Sequence, residues 1–175
     1  MGIDPIEAVR DFFASGGLVL WAIAGVAFLL WTLILERSWF YLFTFPAQAK
    51  AIKEQWERRS DKTSWYAHRI REMFLGRAKV RLEHNLSLIK VLIALCPLFG
   101  LLGTVTGMIE VFDVMAAMGT GNARAMASGV SMATIPTMAG MVVALAGLLF
   151  EMRLEQVSKQ SVRALSQHLE TTKGA

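Results

Sequence analysis

The chain has 175 residues, 54% of them apolar, 18% charged, and a formal net charge of +4. That apolar share is too high for an ordinary soluble domain of this length, and the length is one domain's worth. The basic residues fall between the apolar runs, so the positive charge does not point to nucleic acid.

Residues 3 to 13, IDPIEAVRDFF, place Ile3, Ile6, Val9, Phe12 and Phe13 at helical spacing with acids on the other face. This predicts an interfacial amphipathic helix over 1–16, lying on the membrane surface. Leu18 to Leu35 then runs eighteen residues without a charge. A helix needs roughly 20 apolar residues to cross a ~30 Å hydrocarbon core. The first transmembrane helix is therefore expected over 17–41. An acidic stretch precedes it (Asp4, Glu7, Asp11), with neither a basic n-region nor a small-x-small cleavage site, so a retained span is expected, not a signal peptide. Trp39 and Tyr41 fit an aromatic belt, and Glu36 and Arg37 read as the point where the span meets water.

Residues 42–87 are polar, with apolar positions at 52, 56, 66, 70, 73 and 74, which is helical periodicity. Helices over 46–82 with Trp56, Ile70 and Phe74 buried between them are expected. Residues 43 to 87 hold ten Lys/Arg against five Asp/Glu; the first sixteen residues hold one base, Arg10, and the connection after the second run one, Arg124. The positive-inside rule puts 42–87 and the tail 151–175 in the cytoplasm, and the N-terminus and the turn 117–125 on the other side. Charge on the 42–87 segment reads as a solvated helix face, or as a contact with anionic lipid headgroups or a cytoplasmic partner.

Val91 to Ile109 is a second uncharged run of nineteen residues and Ala125 to Phe150 a third of twenty-six, giving spans over 88–116 and 126–150. Lone strands cannot satisfy their backbones in lipid, so the fold class is all-α: three transmembrane helices extended into a cytoplasmic helical bundle. After Phe150, Leu154, Val157, Val162, Leu165 and Leu169 continue a helical period in the C-terminal helix.

Gly100, Gly103 and Gly107 make a small-residue stripe on the second span, and Gly140, Ala144 and Gly147 one on the third. Such faces let helix backbones approach closely, and Gly103 to Gly107 is a G-x-x-x-G. The hydroxyls are less easily explained by packing. Thr104 and Thr106 sit among leucines, and Ser128, Ser131, Thr134 and Thr137 recur every third residue on the third span. A lone membrane threonine bonds to its own i−4 carbonyl; several on adjacent spans point to a polar seam facing a partner or a wet pore. Pro136 frees a carbonyl near Met132 that needs a donor or water. No Asp, Glu, Lys, Arg or His lies inside the three runs. A moving proton then needs a titratable group from another chain. Glu110 and Asp113 at the end of the second span are candidate outer-mouth acids.

Soluble-enzyme chemistry finds no support. His68, His84 and His168 lack metal-ligand spacing, and Cys96 is the single cysteine, read as a packed small hydrophobe. GLLGTVTG has neither the Lys nor the flanking strand of a phosphate loop. No metal site and no cofactor are expected.

LFGLLGTVTGMIEVF (98–112) and GVSMATIPTMAGMVVALAGLLF (129–150) resemble the second and third membrane helices of the MotA/TolQ/ExbB proton channel family, and the likeness to ExbB covers essentially the whole chain. The resemblance implies a bacterial inner-membrane motor subunit. It implies a homopentamer around an ExbD-like single-span protein in the central pore, driven by the proton-motive force to energise a TonB-like protein at outer-membrane transporters for iron siderophores. By the same resemblance Thr104 and Thr137 line the pore; the hydroxyl spacing on the third span adds Thr134 and Ser131. Met132 stands where many members place a glutamate, which marks a divergent branch serving a dedicated TonB system. A TolQ- or MotA-like stator of another machine and a passive membrane scaffold are the rival readings.

Overall fold

The computed structural model describes residues 5–58, 64–118 and 123–170. Six α-helices follow one another: α1 (Pro5–Ser15), α2 (Gly17–Trp39), α3 (Phe45–Glu57), α4 (Trp65–Glu83), α5 (Leu86–Met118) and α6 (Ala123–Glu170). No strand occurs among the described residues, and three helical segments are long and apolar enough to cross a membrane: Gly17–Glu57, Trp65–Ala117 and Met126–Leu169. The fold is all-α and the protein integral to a membrane. Residues 1–4 of the interfacial segment and 119–122 of the expected 117–125 turn lie outside the described residues.

The breaks between helices have local causes. Gly17 takes a left-handed φ of +61° where α1 gives way to α2, a conformation glycine adopts without a Cβ penalty. Between α2 and α3 the chain makes a π-helical turn, Phe40–Thr44. Pro46 follows it at the start of α3 and lacks an N–H to donate backwards. The Phe45 N–H reaches Phe40 O instead, which widens the turn by one residue. Ser64 caps α4, its hydroxyl accepting from the Tyr66 N–H at 3.1 Å. Asn85, at φ 63°, separates α4 from α5 and is among the few side-chain-bearing residue types that tolerate that region.

The chain divides into two compact units, one of residues 1–31 with 90–148 and one of 32–89 with 149–175. The first buries Leu20, Ile23 and Leu30 of α2, Leu92, Cys96 and Val111 of α5, and Ala133 and Ala144 of α6. The second has a core of Trp56, Ala67, Ala78, Leu165 and Leu169, with Ile52 and Leu75 packed against it. Ile70 and Phe74, expected beside Trp56, are only half-buried, while Tyr66 and Met73 face outward. On α4 it is the alanines Ala67 and Ala78 that are buried in this core. In the last helix Leu154, Leu165 and Leu169 are buried, Val162 is half-buried and Val157 exposed.

Two expectations about the end of α2 are corrected. Arg37 does not meet water: it is 2% exposed, and its Nη2 donates to the carbonyls of Arg81 (3.0 Å) and His84. Tyr41 is buried too, its hydroxyl donating to Leu82 O at 2.6 Å, and Ser158 is hydrogen-bonded to its side chain. Only Trp39 presents its ring outward, as an aromatic belt requires. The cause lies in α4, whose last turn leaves carbonyls without intrahelical partners. Arg37 and Tyr41 supply the donors.

Candidate functional site: the α5–α6 seam

The first unit is built around the contact of α5 with α6. A Cβ added to Gly107 would lie 2.6 Å from Ala133 Cα, and one on Gly140 would lie 2.5 Å from Cys96 O. Gly103 faces the Pro136 ring at 2.6 Å by the same measure, and Gly100 faces Thr137 Cα at 3.0 Å. Three of these glycines, Gly103, Gly107 and Gly140, thus sit against backbone or a proline ring at distances no Cβ would permit, and Gly100 sits at the edge of that range. Gly147 packs against Leu30 of α2 and Ile93 of α5, and Ala144, one turn earlier, is buried. Gly129, which the sequence reading did not single out, packs on Val111. Pro136, read only as a helix breaker, is a fully buried packing surface.

The hydroxyls divide into two sets. Thr137 reaches across the seam, donating to Gly100 O at 2.9 Å, with Ala133 O at 3.4 Å as a second, weaker acceptor. Ala133 is the residue beside the carbonyl that Pro136 leaves unpaired. The others turn back on their own helices: Thr104 donates to Leu101 O (2.7 Å), Thr106 to Leu102 O and Gly103 O, and Thr134 to Val130 O and Ser131 O. Thr104 is half-buried on one flank of the α5 packing face, and Thr106 is exposed on the other. Ser131 and Thr134 lie on the outward face of α6 with Met138 and Met141, while Met132 is half-buried with its methyl group toward Gly17. Glu110 and Asp113 are exposed.

In chemical terms, each of these threonines has committed its proton to a carbonyl and keeps its oxygen lone pairs as acceptors. Such a surface accepts a hydrogen bond from water or from a protonated carboxyl. On ionisation of that carboxyl, a hydroxyl rotates its proton toward the new charge. Among the described residues no cluster of His, Cys, Asp or Glu could hold a metal ion.

The MotA/TolQ/ExbB proton channel family model matches residues 46–167. The chain is 30% identical to biopolymer transport protein ExbB-like 1 of Synechocystis sp. over 171 aligned residues, covering 79% of this chain and 67% of that protein. It is 41% identical to ExbB-like 3 of the same organism over 66 residues, covering 37% of this chain and 31% of that protein. The chain thus spans two thirds of the first relative and less than a third of the second. No solved structure matches it.

Proposed function

The chain belongs to the MotA/TolQ/ExbB proton channel family, and from that premise we propose that it is the pore-forming stator subunit of a proton-driven motor in a bacterial inner membrane. Five copies surround the single span of an ExbD-like partner. The assembly energises a TonB-like protein for uptake across the outer membrane. The N-terminus faces the periplasm and the C-terminus the cytoplasm.

The observation that carries this reading is the α5–α6 seam: a close helix contact edged with hydroxyls, in membrane runs without one Asp, Glu, Lys, Arg or His. A membrane subunit that moves protons normally carries its titratable group in the span. The resemblance puts Met132 where many members of the family carry a glutamate. The carboxylate is therefore supplied by the partner, and this chain supplies Thr104, Thr137, Thr134 and Ser131 as hydrogen-bonding positions along its path. Two packed helices with flat small-residue faces form a stiff wall, which a stator needs while its partner turns or shifts.

The test is reconstitution in liposomes of the chain with and without an ExbD-like partner, followed by proton flux under an imposed gradient. Flux only with the partner present, and lost when the partner's membrane aspartate is changed to Asn, is the expected result. No flux from a correctly assembled complex would leave a passive scaffold as the better reading.

A further inference from the structure

Between α3 and α4, within the second unit, lies a groove of about 250 Å³ lined by Phe45, Gln48, Ile52, Phe74, Arg77 and Arg81. Its charge is one-sided: two guanidinium groups and no carboxylate line it. Arg77 and Arg81 are four residues apart and so share one face of α4. Arg81 is held in place by donating to Gln48 Oε1 at 3.1 Å, which leaves the Gln48 amide nitrogen as a further donor. Among the described residues no acid pairs with either arginine; Glu83, two residues beyond Arg81, pairs with Lys79. We propose that this groove seats the phosphate of an anionic phospholipid, with Arg77 and Arg81 as its two clamps and Phe45 against the glycerol and upper acyl chain.

The position along the chain supports a lipid over a soluble anion. Phe45 stands four residues beyond Tyr41, at most about 6 Å along the helix, since the intervening turn is π-helical. Headgroup layers extend roughly 5–7 Å beyond each side of the hydrocarbon core. With the first span ending near Tyr41, the Phe45–Gln48–Arg81 end of the groove falls at headgroup depth. Trp39, Leu42 and Phe43, immediately before it, expose their side chains as a lipid-facing surface does. Arginine suits this task because its planar fork binds two phosphate oxygens at once, which lysine does not. The inference goes beyond the stator reading, since it concerns the second unit and would hold for any function of the first.

The test uses the full chain in detergent, titrated with phosphatidylglycerol or phosphatidylcholine and read by native mass spectrometry, without partner or proton gradient. Phosphatidylglycerol is expected to bind with clear preference. Arg77→Gln and Arg81→Gln should each weaken its binding by roughly tenfold, the loss of one charge-assisted contact, and leave phosphatidylcholine binding unchanged. Arg77 makes no hydrogen bond or ion pair within the described chain, so its variant should retain the fold, which circular dichroism checks. Lys79→Gln, which removes a cation not in the groove, should have no effect. Equal binding of the two lipids, or a preference that survives the double Arg77→Gln/Arg81→Gln change, overturns the proposal. So does a soluble polyglutamate peptide that displaces phosphatidylglycerol from these arginines, since the occupant would then be an acidic protein segment.

Discussion

The Thr137 hydroxyl donates to the Gly100 carbonyl at 2.9 Å, and it reaches because Gly100 has no side chain to hold the helices apart. The bond itself is a small term, since interhelical hydrogen bonds in membranes average only about 0.6 kcal/mol. Close packing along the whole seam matters more. Gly107→Ala and Gly140→Ala place a methyl group against backbone, which cannot move aside as a side chain can. Overpacking of this kind costs about 1–3 kcal/mol, so both variants should show a lowered melting temperature in detergent. Gly25→Ala, where a Cβ meets nothing within 4 Å, should melt like the parent. Equal melting of all three would mean that the helices separate at little cost.

The second unit depends on one large side chain. Trp56 is 3% exposed and packs with Ala67, Ala78, Leu165 and Leu169. Trp56→Ala is expected to cost about 3–5 kcal/mol and reduce the yield of folded protein. Tyr66→Ala, on an exposed ring of the next helix, should change stability by less than about 0.5 kcal/mol. Matching yields and melting curves for the two variants would contradict this core.

What the sequence disclosed and what it hid follow from the same physics. The three apolar segments were legible because lipid demands long runs, and the glycine stripes because close approach demands small residues at helical spacing. Arg37, Glu151 and Ser158 were not, because a polar residue next to the end of an apolar run reads as the start of water. Their register carried the missing signal. Along α2 and the π-helical turn that follows it, the buried residues fall at Leu20, Ile23, Leu30, Ile34, Arg37 and Tyr41, a spacing of threes, fours and one seven that runs on through the arginine. On α6 a spacing of threes and fours runs through Ala144, Gly147, Glu151, Leu154 and Ser158. What hydropathy cannot supply is the partner for a buried charge, here the carbonyls at the end of α4, 44 and 47 residues along the chain. The threonines had the reverse problem: sequence grouped Thr104 with Thr106, yet at 100° per residue they stand on opposite flanks of α5.

Arg37 yields its own prediction. Arg37→Leu removes the donor to the Arg81 and His84 carbonyls and leaves two part-buried acceptors unmet, at up to about 1–3 kcal/mol for each. The last turn of α4 should then fray first. Hydrogen exchange should accelerate at residues 82–86 before it does in the Trp56 core. Arg37→Lys should restore part of the protection, because both contacts come from one nitrogen, Nη2, and an ammonium also carries more than one N–H donor. Unchanged exchange at 82–86 in Arg37→Leu would show that the contact does not hold this turn.

The last prediction concerns the proton. If a partner carboxylate moves past the seam, a threonine serves it in two ways: its oxygen accepts from the protonated acid, and its rotated hydroxyl donates to the ionised one. A charge-assisted bond of that kind is worth roughly 1.5–3 kcal/mol, well above the interhelical bond that Thr137 gives up on rotating. Thr137→Val and Thr104→Val keep the shape of the side chain and remove the hydroxyl. Each complex should therefore assemble with nearly parental stability yet lose energised uptake, by about tenfold or more if one such bond is missing where the proton passes. Thr137→Ser, which restores a hydroxyl, should recover most of the uptake. Met132→Ala should assemble with a much milder loss, since a thioether carries no proton, and Thr106→Val on the opposite flank of α5 should be nearly silent. The measurement is uptake of a TonB-dependent nutrient in cells carrying each variant at matched expression. Full uptake in the double Thr104→Val/Thr137→Val variant would place the proton path away from this seam.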